Sequence, residues 1–183
     1  FARGRFSIPQ YAANWDVKPQ CYQLPEAFAT LFSQYIANET EKRFPTVTTA
    51  NAPLRESIGY GRYDFGNTGN SSLFSATDKL YLYNYFYMRR SYTAARSLLE
   101  TIGGWLTSAA GNVSDKVVFC DVSYECGASG LAFIDMIQRR MPHSDVVYIG
   151  IYPTEEMARM AYNFFSAEPY SKVASCFYPR IGA

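Results

Sequence analysis

Apolar side chains recur every three or four residues in the first part of the chain, a spacing typical of helices that bury one face. The first such helix is predicted to start at Leu24-Pro25-Glu26, because proline suits a first helical turn, and to end near Arg43, before Pro45. Its apolar stripe consists of Phe28, Leu31, Phe32, Tyr35 and Ile36.

A second helix is predicted to begin at Ser75, because Ser75 and Asp78 have the spacing of a capping box. Residues 81–88 alternate as a strand would, yet the helical spacing continues beyond them and favours a helix. The pair Gly103-Gly104 is predicted to end or loosen it. One helix face is predicted to contain Tyr92, Ala95, Leu98, Leu99 and Ile102. The aromatic band Tyr81–Tyr87 is predicted to pack in the core or in an interface rather than to stack on bases.

After residue 116 apolar runs alternate with amphipathic segments, which predicts helices and a parallel sheet. Strands are predicted at Val117–Tyr124, Val146–Ile151 and Lys172–Tyr178, the first of them buried on both faces. The helix after the first strand is predicted to stop before Pro142 and to face the sheet with Phe133, Ile134, Ile137 and Met141. The helix after the second strand is predicted to be capped by Thr154 and to bury Met157, Met160, Ala161, Phe164 and Phe165.

These patterns divide the chain into three predicted regions: an extended arm over residues 1–23, a helical region over 24–114 and an α/β region over 115–183. Within the helical region, residues 45–73 are rich in Pro, Gly, Ser and Thr and form a predicted loop. Its candidates for RNA contact are Arg55, Tyr60, Arg62 and Tyr63, since arginine pairs with phosphate and aromatic rings stack on bases. An ordinary solvated loop is the alternative.

Composition indicates a globular chain, with 48% apolar and 18% charged residues among 183. A net charge of +1 gives no global attraction to nucleic acid, so any RNA contact would be local. The four cysteines and the single His143 do not form a zinc set, and we expect no metal, no disulfide framework and a reducing compartment. Cys120 is expected to be buried and Cys126 exposed. No apolar run approaches the ~20 residues of a membrane helix, so no membrane contact is expected.

The loop Glu125–Leu131 between the first strand and its helix carries a family resemblance. Together with the helix Tyr92–Glu100 and the spacing to Met141-Pro142 and Met157, it resembles the mitochondrial ribosomal small-subunit methyltransferase-like family, within the class I S-adenosylmethionine-dependent methyltransferases. The resemblance spans about residues 75–165. It implies the first half of a Rossmann-like methyltransferase sheet, about three parallel strands, preceded by a helical N-terminal region. It also implies a mitochondrial matrix location, which the basic, acid-free residues 1–10 fit as the remnant of a transit peptide. The implied partners are small-subunit rRNA and ribosomal proteins or assembly factors.

By that resemblance, Glu125, Gly127 and Gly130 would line an S-adenosylmethionine site, if the site is intact. Ser129 and Leu131 replace two glycines of the family loop, and Ile151 stands where an acid would hold the ribose. Asp121 is an alternative contact for the cofactor only if the loop is taken to begin four residues earlier. We therefore expect a degenerate, non-catalytic member without a cofactor. An active methyltransferase acting on RNA or protein is the alternative; a nucleotide-binding oxidoreductase half-domain is a third possibility, which Ile151 also opposes.

Overall fold

The computed structural model describes residues 23–47, 74–110, 116–122 and 125–179, with the backbone alone over residues 105–110. Helix α1, Glu26–Phe32, passes through a π-helical turn at Ser33–Ala37 and continues as α2, Asn38–Arg43. The predicted first helix is confirmed, and four of its five stripe residues are buried: Phe28, Leu31, Phe32 and Ile36. The predicted arm lies almost wholly outside the described residues.

Helix α3 is a single element of 35 residues, Ala76–Ala110, and confirms the helical interpretation of the aromatic band. The predicted capping box is present: Asp78 donates its backbone N–H to Ser75 Oγ (3.1 Å), and Ser75 donates its backbone N–H to Asp78 Oδ2 (3.4 Å). The predicted break at Gly103-Gly104 is wrong, because the helix runs on to Ala110. Gly103 is buried where Arg140 and Met136 of the neighbouring helix come close, so packing outweighs the low helix propensity of glycine.

The predicted shared face of α3 is also partly wrong. Tyr92 and Leu99 are buried, whereas Leu98 is 51% exposed and Ile102 is 36% exposed. Neighbouring positions on a helix point about 100° apart, so Leu98 and Leu99 cannot both face the same narrow contact. The face that packs is therefore narrower than the sequence pattern predicted.

Three parallel strands form one sheet, in the order β1-β2-β3. They are β1, Lys116–Val122, β2, Asp145–Tyr152, and β3, Ala174–Pro179. Helix α4, Ala128–Arg140, connects β1 to β2; helix α5, Glu155–Phe165, and a 3-10 turn at Tyr170–Lys172 connect β2 to β3. The predicted α/β class, the three parallel strands and the end of α4 before Pro142 are confirmed, and the arrangement is compatible with part of a Rossmann-like fold.

Helices α4 and α5 cover the same face of the sheet, as successive right-handed crossovers in one direction require. The side chains that alternate towards them, such as Tyr148 and Tyr152, are buried. The prediction that β1 is buried on both faces is wrong, since Val118 is 57% and Val122 73% exposed. β1 is an edge strand, and only one of its faces lies against a helix in the described part of the chain.

A single hydrophobic core joins the helical region to the α/β region. Helix α3 packs along α4. Helix α1 packs on α3 through Phe28, whose ring stacks on that of Tyr92 with 3.8 Å between the ring centroids. The Tyr92 hydroxyl donates to Asp135 of α4, which also accepts from Tyr170 at 3.1 Å. Glu100 of α3 pairs with Arg139 and Arg140 at the end of α4. These contacts fix the position of α4, whose N-terminus carries the candidate site.

Candidate functional site: the loop before α4

The loop turns at Gly127, which has φ +84° and precedes the first residue of α4. Only glycine adopts this left-handed conformation without strain, so the turn requires a glycine at this position. The Gly127 N–H donates to the Glu125 carbonyl (2.5 Å), and the Gly127 carbonyl accepts from Leu131 N–H (2.9 Å). The backbone therefore has the strand–turn–helix form that can approach a ligand.

Glu125, the predicted acidic contact, is tied to helix α3. Its Oε1 accepts a hydrogen bond of 2.6 Å from Ser91 Oγ, and the side chain is half-buried. Burial first, and then the Glu125 charge, raise the pKa of the Tyr83 phenol to about 12. The acid thus fastens the loop to α3.

A chain of polar side chains lies beneath the loop, and the sequence did not reveal it. Asp121, buried near the end of β1, accepts from Ser129 Oγ (2.7 Å) and from the Tyr148 hydroxyl (2.9 Å) on the same oxygen. The Tyr148 hydroxyl also lies 2.6 Å from that of Tyr152. Burial raises the pKa of the Asp121 carboxyl, although the hydrogen bonds from Ser129 and Tyr148 oppose that rise. Asp121, the alternative contact for a cofactor, is therefore a buried acceptor for two side chains of the protein itself.

Three glycines of this region face aromatic rings. A Cβ added to Gly130 would lie under 3 Å from three ring atoms of Tyr148, one added to Gly127 would lie 2.7 Å from Phe165 Cε2, and one added to Gly150 would lie 2.5 Å from Tyr152 Cε2. The three rings are buried, and the rings of Tyr148 and Phe165 stack with 4.1 Å between their centroids. The space that these glycines provide is thus filled by the protein's own side chains.

Ser129, Leu131 and Ile151 are the three residues that depart from the family pattern. Leu131 is completely buried in the core, and Ser129 donates to Asp121. Ile151 belongs to the sheet face opposite α4, since the strand alternates and Tyr152 points towards the helices. The side chain next to the loop is Tyr152, whose hydroxyl lies 3.3 Å from the Cβ position of Gly127. The alternation of β2 was the signal available in the sequence.

Both cysteine expectations are wrong. Cys126 is fully buried; burial raises the pKa of its thiol to about 12, and Asn84 Nδ2 donates to its sulfur at 3.4 Å. Cys120 is exposed, because its side of β1 faces away from α4. His143 is exposed at the turn after α4.

The predicted RNA-contacting residues Arg55, Tyr60, Arg62 and Tyr63 lie outside the described residues. Within the described ranges, His, Cys, Asp and Glu side chains form no group of three or more that could hold a metal ion. In the same ranges, none of the helices combines the length and apolar character needed to span a membrane.

Comparison with family models, with curated proteins and with solved structures finds no match to this chain.

Proposed function

We propose that this protein is a non-catalytic, methyltransferase-like factor of the mitochondrial ribosomal small subunit, with an assembly or structural role. The observation that carries the loss of catalysis is the filling of the space at Gly127, Gly130 and Gly150 by buried aromatic rings. Its location and its partners, small-subunit rRNA and ribosomal proteins or assembly factors, rest on the sequence resemblance described above.

A nucleotide-like ligand would need close backbone approach at the loop and an acceptor for its ribose hydroxyls. Phe165 and Tyr148 take up the first of these spaces. At the end of β2, Tyr152 replaces the carboxylate and is hydrogen-bonded to Tyr148. A charge-assisted hydrogen bond contributes about 1.5–3 kcal/mol, so its loss alone would weaken binding by roughly 10- to 150-fold.

Calorimetric titration of the full-length protein with S-adenosylmethionine tests the loss of the cofactor. We expect no heat of binding up to millimolar ligand. Micromolar binding that Glu125→Gln weakens would overturn the loss of the cofactor and favour the active methyltransferase instead. Ser33→Ala is the matched control, because Ser33 is exposed on the helix Glu26–Arg43, whose residues take no part in the loop.

Sedimentation of mitochondrial lysate through a sucrose gradient tests the location and partners. The protein should migrate with the small ribosomal subunit and should return to the top of the gradient after ribonuclease treatment. The double variant Arg55→Glu/Arg62→Glu should reduce co-migration, because reversing two charges repels phosphate. A protein found only with free proteins, or outside mitochondria, would overturn the assignment.

A further inference from the structure

Two arginines at the carboxyl end of α4 are held by a single glutamate of α3. Arg139 donates from Nη2 to Glu100 Oε1, and Arg140 donates from Nη2 to Glu100 Oε2 at 2.9 Å. The side chain of Glu100 is 18% exposed, whereas those of Arg139 and Arg140 are 50% and 35% exposed. The carboxylate is therefore largely covered, and the two guanidinium groups remain open to solvent. We call Arg139, Arg140 and Glu100 the arginine clamp.

A glycine in the interior of α3 also sets the position of Arg140. A Cβ added at Gly103 would lie 3.0 Å from both Cζ and Nε of Arg140, so the guanidinium group rests in the space that the missing side chain leaves. At Gly104, the next residue, an added Cβ would meet no atom within 4 Å beyond the backbone of its own helical turns. One member of the glycine pair therefore lies directly under an arginine.

The arginine clamp has far more hydrogen-bond donors than its one carboxylate uses. Each guanidinium group carries five N–H donors, and in the described part of the chain Arg139 and Arg140 donate only to Glu100. Exposed ion pairs contribute little to folding stability, and any cation suits the carboxyl end of a helix. Lysines would meet both of these needs. Two guanidinium groups fixed side by side are therefore better explained by a ligand that needs planar, paired donors.

The charges near the arginine clamp favour an anion. Arg96 precedes Glu100 by four residues and so lies on the same side of α3, where it donates to the Gln23 carbonyl at 3.2 Å. Asp135, one turn before Arg139 on α4, is half-buried and accepts from two tyrosine hydroxyls. Three arginines and two carboxylates give this neighbourhood a local excess of one positive charge, although the whole chain has a net charge of only +1.

Phosphate oxygens fit this arrangement. A guanidinium group binds them through two parallel N–H donors, and side chains that are already held in place lose less freedom on binding. Each nucleotide of RNA adds one backbone phosphate with a single negative charge. A local excess of one positive charge can therefore hold one such phosphate without a strongly basic domain around it.

We propose that the arginine clamp binds a backbone phosphate of RNA, with the outward donors of Arg139 and Arg140 directed at its oxygens. Glu100 and Gly103 fix the position of the two guanidinium groups. The inference deepens the proposed function, on which it rests for the choice of RNA as the source of the phosphate.

Fluorescence anisotropy of labelled oligouridine and oligoadenosine, each about 20 nucleotides long, tests the proposal with the full-length protein. The main variant is Arg139→Lys/Arg140→Lys, which keeps both charges and removes the planar forks. We expect it to raise the Kd for both RNAs by about five- to tenfold, and to affect both alike because a phosphate carries no base information. Arg139→Glu/Arg140→Glu should also reduce the logarithmic salt slope by about 0.7, the value for one phosphate of a single strand.

Two controls accompany the lysine pair. Arg159→Lys makes the same exchange at an exposed position of α5 and should change the Kd by less than about twofold. Gly103→Met places a side chain in the space of the Arg140 guanidinium and should raise the Kd by about threefold or more, whereas Gly104→Met should stay within about twofold. The lysine pair should keep the melting temperature within about 2 °C, because both side chains are at the surface.

An unchanged Kd for the lysine pair would overturn the inference and leave the ribosomal proposal standing. A wild-type protein that binds neither RNA would overturn it as well. Inorganic phosphate that binds in calorimetry, is lost in the lysine pair and displaces no RNA would assign the clamp to a small phosphate ligand instead. Weakened RNA binding by the lysine pair, in a protein that never sediments with the small subunit, would support the inference and overturn the ribosomal assignment. The two failures are therefore distinguishable.

Discussion

Glycine-to-alanine substitutions at two helix positions test whether the loop glycines serve packing or a ligand. Gly130 lies in the first turn of α4, against the ring of Tyr148. Gly104 lies in α3, and beyond the backbone of its own helical turns no atom lies within 4 Å of an added Cβ. Both substitutions add the same methyl group to a helix. Any difference between them therefore measures the surroundings of Gly130.

The expected magnitudes follow from these surroundings. Alanine is better than glycine in a helix by about 1 kcal/mol, so Gly104→Ala should raise the free energy of unfolding by about 0.5–1 kcal/mol. Gly130→Ala gains no more than this from helix propensity, whereas overpacking the added methyl group costs about 1–3 kcal/mol of folding stability. The ring of Tyr148 cannot move away cheaply, because its hydroxyl bonds to Asp121 and Tyr152 and its face stacks on Phe165. The 2.2 Å approach to Tyr148 Cε2 argues for an overpacking cost at the upper end of this range, and with the helix gain subtracted we expect a net loss of about 2 kcal/mol.

Urea unfolding at pH 7, with equal slopes for both variants, measures this difference. For a chain of this size, about 2 kcal/mol corresponds to a melting temperature lower by about 4–8 °C, which a thermal scan checks independently. Gly103→Ala is a useful third variant. Its Cβ would meet the end of the flexible Arg140 side chain at 3.0 Å, so we expect a change below about 1 kcal/mol.

Equal stabilisation by Gly130→Ala and Gly104→Ala would refute this reasoning. It would mean that the Tyr148 ring does not rest on Gly130 and that the loop has room for a ligand. The non-catalytic assignment would then lose the observation that carries it.

Three further predictions concern the polar contacts. Tyr92→Phe removes the donor to Asp135 and should cost about 1.5–3 kcal/mol in urea unfolding, while Tyr162→Phe, at an exposed tyrosine, should change stability by less than about 0.5 kcal/mol. Because burial raises the pKa of Asp121, its contribution to stability is greatest below the ordinary pKa of 3.8 and is lost as the pH rises through the pKa of the folded state. The difference in urea midpoint between wild type and Asp121→Asn should therefore become less favourable to the wild type from about pH 3.5 to 7. A difference that does not change with pH would contradict this prediction. Ser75→Ala should cost about 1 kcal/mol by removing the N-cap of α3, and an unchanged urea midpoint would count against the capping box.

Local signals were sufficient to predict most of the fold. The capping box at Ser75, the cap at Thr154 and the buried stripe of α5 depend on residues within one or two turns of each other, and all are confirmed. The path of α3 through Gly103-Gly104 could not be predicted in this way. It depends on α4, whose Arg140 and Met136 pack where glycine leaves room.

The side chains that surround the loop Glu125–Leu131 could not be predicted from local sequence signals. Gly127 alone shows a local requirement, because the turn before α4 needs a positive φ. The identity of the side chains over the loop depends on which strand face the helices cover. Once α4 and α5 lie on one face of the sheet, the two-residue period directs Tyr152 towards the loop and Ile151 to the opposite face. The same choice of face explains why Cys120 is exposed.

The aromatic packing over the loop and the polar chain beneath it depend on one side chain, Tyr148. Its ring occupies the space at Gly130, and its hydroxyl is one of two donors to the buried Asp121. Removing the ring would open space over the loop, but it would leave Asp121 with Ser129 as its remaining side-chain donor and would deprive Tyr152 of its hydroxyl partner. A buried acceptor that loses a donor costs about 1–3 kcal/mol, in addition to the cavity that the ring leaves. The side chains around the loop are therefore held by packing and hydrogen bonds together, and making space there for a ligand requires several coordinated substitutions rather than one.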